Sequence, residues 1–112
     1  MLIVASNVWV MDPKEDKYIR GSEIIEVQVH TLRVTSYGKE VERHSTVKIT
    51  QARSVDSQAG TAPDTVTLWE FGTRTQADTA VATLLAALST DPCAVVRLDD
   101  NGEVRVQPLA AV

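Results

Sequence analysis

The 112-residue sequence predicts an α+β fold, a mainly antiparallel sheet of about six strands with one α-helix, at about residues 74–89, packed on it. Three observations carry that expectation. The chain holds 16 Val, 12 Thr and 5 Ile, and stiff β-branched side chains fit the pleated surface of a strand. Several segments alternate apolar and polar residues with period two and are bounded by turn residues. A single window, Ala77 to Leu88, repeats instead with helical spacing. The order is β-β-β-β-α-β-β, and the length fits one domain over residues 1–112.

Leu2 to Met11 reads as the first strand. It is apolar on both faces except at Ser6 and Asn7, as a central or doubly covered strand would be. Asp12 to Lys17 is a charged turn around Pro13, and Tyr18 to Arg20 fits a short strand before Gly21-Ser22. Glu23 to Thr35 alternates with Ile25, Val27 and Val29 on one face, then switches to Leu32 and Val34. Such a phase change marks a bulge or bend near Thr31, or a strand whose far half meets a different environment. Glu40 to Gln51 alternates as well.

Ser36-Tyr37-Gly38 suits a three-residue hairpin loop with Gly38 in the left-handed position. Closed that way, Thr35 lies opposite Lys39. The ladder then pairs Val27 with Val47, Ile25 with Ile49, Glu26 with Lys48, Glu42 with Leu32 and His30 with His44. Ala52 to Asp64 has no period and reads as a surface loop.

Thr65 to Phe71 is a strand that Gly72 ends. Its Trp69 and Phe71 face away from Val66 and Leu68, so both sides are apolar. Thr73 or Thr75 can cap the following helix, and Thr73 with Gln76 three residues on fits a capping box. The helix carries Ala77, Val81, Leu84 and Leu88 as its apolar stripe, widened by Ala80 and Leu85, and Asp91-Pro92 stops it. Ala94 to Leu98 and Glu103 to Gln107 flank Asn101-Gly102, a strong hairpin signal.

The net charge is −4 with no Lys/Arg cluster, which argues against non-specific nucleic-acid binding and against anionic membrane surfaces. No segment is long and apolar enough to span a bilayer. One cysteine, Cys93, excludes an internal disulfide, fits a cytoplasmic protein, and has no base nearby; a buried, inert thiol is expected. No phosphate-binding glycine loop, nucleophile elbow or zinc-protease motif occurs, so no catalysis and no cofactor are expected.

Two surfaces stand out. Facing imidazoles at His30 and His44, with Glu42 beside them, offer donor chemistry for a metal ion, although Zn²⁺ wants three or four placed ligands. The helix carries no charge between Asp78 and Asp91, and its outward positions, Thr79, Ala82, Thr83, Ala86 and Ala87, are small and neutral. Such a face suits close packing against another helix or the C-terminal hairpin. Trp9 and Trp69 are anchors for another polypeptide where exposed, and in a chain this poor in aromatics at least one of them is expected in the core. The expectation is a small acidic interaction or assembly module, a homo-oligomer (dimer) or the partner of another protein. Its size and acidity would fit a phage or mobile-element accessory protein. The alternative is a metal- or small-ligand-binding domain built around His30 and His44.

Overall fold

The computed structural model describes residues 7–54, 61–90 and 93–109, with the side chains of Glu42, Arg53, Ser54 and residues 61–64 outside that description. The Leu2 to Ser6 part of the expected Leu2–Met11 strand, the middle of the Ala52–Asp64 segment, and Asp91-Pro92 lie outside the described residues. The expected class holds: strands and one helix in an α+β arrangement. The described residues form seven strands in two sheets, however, rather than about six in one.

The elements are β1 (Val8–Asp12), β2 (Lys17–Arg20), a 3₁₀ turn (Gly21–Glu23), β3 (Ile24–Ser36), β4 (Lys39–Ser54), β5 (Thr61–Phe71), α1 (Arg74–Thr90), β6 (Ala94–Leu98) and β7 (Val104–Pro108). A four-stranded sheet has the order β2-β1-β6-β7, and a three-stranded sheet the order β3-β4-β5. Every pairing is antiparallel except β1 with β6, which is parallel.

β1 is central, as its two apolar faces foretell. Val8, Val10 and Asp12 are buried while Trp9 and Met11 are half-buried on the other side. Asp12 turns the chain by accepting the Lys14 backbone N–H at 3.0 Å. The inner face of this sheet, with Ile19 and Val96, shares one core with Val47, Ile49, Leu68, Trp69 and Phe71 of the three-stranded sheet and with α1. Fully burying each such aliphatic side chain contributes roughly 1.5–3 kcal/mol before the opposing chain entropy.

The β3–β4 register corrects the expected one. Ser36 pairs with Lys39, so the loop has two residues, Tyr37 and Gly38, both left-handed at φ 52° and 76°. Arg43 is then an extra residue between the Leu32–His44 and Arg33–Glu42 pairs. The two changes add up to a shift of two residues. Val27 meets Ile49, Val29 meets Val47, and Gln28 meets Lys48. This bulge lies beside the predicted phase change, but its extra residue is on β4; β3 itself runs on without an insertion there, and Leu32 lies on its exposed face.

A second bulge resolves the apparent two-sidedness of β5. Val47 pairs with Trp69 and Lys48 with Thr67, leaving Leu68 as the extra residue. Leu68 and Trp69 are both buried, and beyond the bulge Val66 joins the same inner face opposite Ile49. The strand therefore presents one apolar face and needs no second chain to cover another. The Ala52–Asp64 segment is also less of a loop than expected. β4 and β5 stay paired out to Ser54 and Thr61, and Pro63 is tolerated because β5 is an edge strand.

At the start of α1 the capping box forms as predicted: the Gln76 N–H donates to Thr73 Oγ1 at 3.2 Å and the Thr73 N–H to Gln76 Oε1 at 3.2 Å. Ala77, Ala80, Leu84 and Ala87 are buried, with Val81 and Leu88 packed on the core. Two positions differ from the expected stripe. Ala87 faces inward, and Leu85 is exposed, because the core contacts centre on the Ala80–Leu84–Ala87 row.

Candidate functional site

The helix lies beside β7, and between them runs a groove of about 360 Å³. Phe71, Ala80 and Val104 supply its apolar surface. Thr75, Thr79 and Thr83, one helical turn apart, form its helix wall, and Gly102, Glu103 and Arg105 its far side. Thr79 Oγ1 donates to the Thr75 carbonyl at 3.0 Å and Thr83 Oγ1 to the Thr79 carbonyl at 3.1 Å. These hydroxyls are spent on the helix backbone, so the wall offers methyl groups more than polar ones.

β7 is the edge of its sheet. At its two ends the Asp99 N–H donates to the Glu103 carbonyl and the Leu109 N–H to the Cys93 carbonyl. In an antiparallel ladder the hydrogen-bonded residues alternate, so Glu103, Arg105, Gln107 and Leu109 turn their backbone toward β6. The N–H and C=O groups of Val104 and Val106 turn the other way, to the open edge.

The outward face of the four-stranded sheet is a second distinctive surface. Alternation puts Trp9 and Met11 of β1, Tyr18 and Arg20 of β2, Val95 and Arg97 of β6, and Arg105 and Gln107 of β7 on it. The Arg20 guanidinium lies 4.9 Å from the centroid of the Trp9 ring. Arg97 and Arg105 are cross-strand neighbours. Arg105 is tied down by Asp99 Oδ2 at 2.8 Å and Glu103 Oε2 at 2.8 Å. Those bonds hold its guanidinium further toward the charged form, while the Arg105 bond, helped by the Glu103 and Asn101 backbone N–H groups, lowers the Asp99 pKa. Arg97 makes no ion pair with a described residue.

The residues singled out from the sequence fall as follows. Trp69, expected at a contact surface, is 1% exposed and belongs to the core. Trp9 is half-buried on the outward sheet face. Thr79 and Thr83 line the groove, whereas Ala82 and Ala86 lie exposed on the helix away from its lining. His30 faces Thr46 and His44 faces Leu32, so the imidazoles are diagonal neighbours, not a facing pair. Glu42 pairs in the ladder with Arg33, and its side chain lies outside the described residues. No group of three or more His, Cys, Asp or Glu with metal-binding geometry occurs among the described residues. Cys93 is exposed, because it sits in the bend before β6 rather than within the strand.

Sequence reasoning passed over the groove and the arginine face. The alternation of Tyr18 to Arg20 and Ala94 to Leu98 could have found the second, but only with the parallel β1–β6 pairing known. No described helix is long and apolar enough to cross a membrane. No family model, curated protein or solved structure matches the chain.

Proposed function

We propose that the protein is a non-catalytic interaction module that takes an extended segment of another polypeptide along β7, in the groove against α1. The observation that carries this reading is the open β7 edge, where Val104 and Val106 present unpaired backbone groups, bordering an apolar groove with a charge-free helix wall. Added strands gain affinity from main-chain hydrogen bonds, and specificity from where alternate side chains land. Here alternate side chains of the guest would meet Phe71, Ala80 and the threonine methyls, which favours small or aliphatic residues.

Panning a random-peptide display library against the full chain tests this. Selected peptides should be aliphatic at alternate positions and should shift or protect the Val104 and Val106 amides in NMR spectra. The double variant Thr79→Lys, Thr83→Lys, folded by circular dichroism, should lose binding. Peptides that map to another surface, or bind that variant undiminished, overturn the reading. Sedimentation at micromolar concentration separates the two kinds of guest: self-association that the same double variant abolishes makes the guest a second copy of this chain.

A further inference from the structure

We propose that the outward face of the four-stranded sheet docks an acidic amphipathic helix of a partner protein. The arrangement of residue types argues for it. Trp9, Met11 and Val95 make an apolar centre on the two middle strands, with Tyr18 and Arg20 on the β2 side and Arg97 beyond Val95. Aromatic residues, Met and Arg are enriched in protein interfaces, and Lys, Asp and Glu are depleted. The chain has 15 acidic and 11 basic residues, yet the outward positions within these four strands carry three arginines and no carboxylate; the two carboxylates at the strand ends on this face, Asp99 and Glu103, are bound to Arg105.

Within the molecule, Asp99 and Glu103 are taken by Arg105, which leaves Arg97 without a counter-charge among the described residues. Carboxylates flanking an apolar stripe would complete Arg20 and Arg97 while the stripe covers Trp9, Met11 and Val95. A sheet buries an apolar face by taking a helix or another sheet as its next layer, and the described residues provide none on this side. A single nucleic-acid strand is the other anionic candidate. Two arginines not already neutralised are few for binding that runs on phosphate contacts.

The test uses the full chain and three probes. The first is a synthetic helix of about five turns with a leucine stripe flanked by glutamates. The second is the same peptide with lysines for the glutamates, and the third is oligothymidylate of about 12 nucleotides. The glutamate peptide should bind and quench or shift Trp9 emission. Its affinity should fall at least about tenfold in Arg97→Glu and again as ionic strength rises from about 0.05 to 0.5 M. Arg97→Glu should keep the wild-type circular dichroism and unfolding midpoint, and Arg20→Glu provides a second reversal should it not. Thr79→Lys, Thr83→Lys should leave this binding intact, which separates it from the β7 groove. Absence of binding by the glutamate peptide, equal binding by the lysine peptide, indifference to both reversals, or preference for the oligonucleotide overturns the proposal.

Discussion

The guanidinium of Arg20 rests over the indole of Trp9, 4.9 Å from the ring centroid, and the two residues are register partners across β1 and β2. This is a cross-strand contact at the sheet edge, between an exposed cation and a half-buried ring. Cation–π pairs at exposed sites contribute about 0.5–1 kcal/mol. Arg20→Ala should lower the free energy of unfolding in urea by that amount. A double-mutant cycle with Trp9→Leu should return a coupling of similar size, and a coupling indistinguishable from zero would show that the contact is not stabilising.

Trp69 raises a different expectation. Its ring is sealed in the core, 1% exposed, yet Nε1 has no hydrogen-bond partner among the described residues. A buried unpaired donor costs about 1–3 kcal/mol. Trp69→Phe removes the donor while keeping much of the ring, so its net cost should be small, under about 1.5 kcal/mol. Trp69→Ala leaves a cavity and should cost about 3–5 kcal/mol. Equilibrium denaturation of both variants checks this; equal losses would mean the indole N–H is satisfied in solution.

The Tyr37-Gly38 turn should be open to improvement. Both residues have positive φ, which Gly38 adopts freely and Tyr37 does not. Tyr37 is also fully exposed, so its ring loses no packing on removal. Tyr37→Asn should stabilise the hairpin by up to about 1 kcal/mol, and Gly38→Ala should destabilise it by a similar amount. Thermal unfolding midpoints moving in opposite directions are the expected signature; a Tyr37→Asn midpoint below wild type would contradict the turn geometry.

Asp99 sets an acid limit on the β6–β7 hairpin. Its pKa is lowered first by the Arg105 hydrogen bond, then by the Glu103 and Asn101 backbone N–H groups. A carboxyl whose pKa is lower folded than unfolded adds stability above its unfolded value, near pH 4, and loses it as the pH falls through the folded value. The hairpin should therefore loosen below about pH 4. Asp99→Asn should flatten that part of the profile while costing stability at pH 7. Amide exchange at Arg105 and Gln107, whose N–H groups face β6, reads it, and a wild-type profile that matches the variant's would exclude the mechanism.

Much of the fold is legible from residues alone because its signals are local. The capping box at Thr73 and Gln76, the helix stripe and the Asn101-Gly102 hairpin each depend on a few neighbours. The β3–β4 register was not legible. Moving a strand by two residues keeps every side chain on its face, so Val27 against Val47 and Val27 against Ile49 satisfy the apolar pattern equally. Only the left-handed Tyr37 and the extra Arg43 decide between them, and neither residue type announces that role. The same limit hid the bulge at Leu68, whose effect is to make a strand with two apolar sides present only one. The groove and the arginine face were hidden further still, since both depend on β6 and β7 meeting elements far away in the sequence.

The parallel pairing of β1 with β6 has a consequence for how the molecule comes into being. Val8 to Val10 align with residues 94–96, so the four-stranded sheet closes only once the segment about 85 residues further along has emerged from the ribosome. Until then the β3–β4–β5 meander, whose pairings are local, is the part able to form by itself, with its core side awaiting a lid.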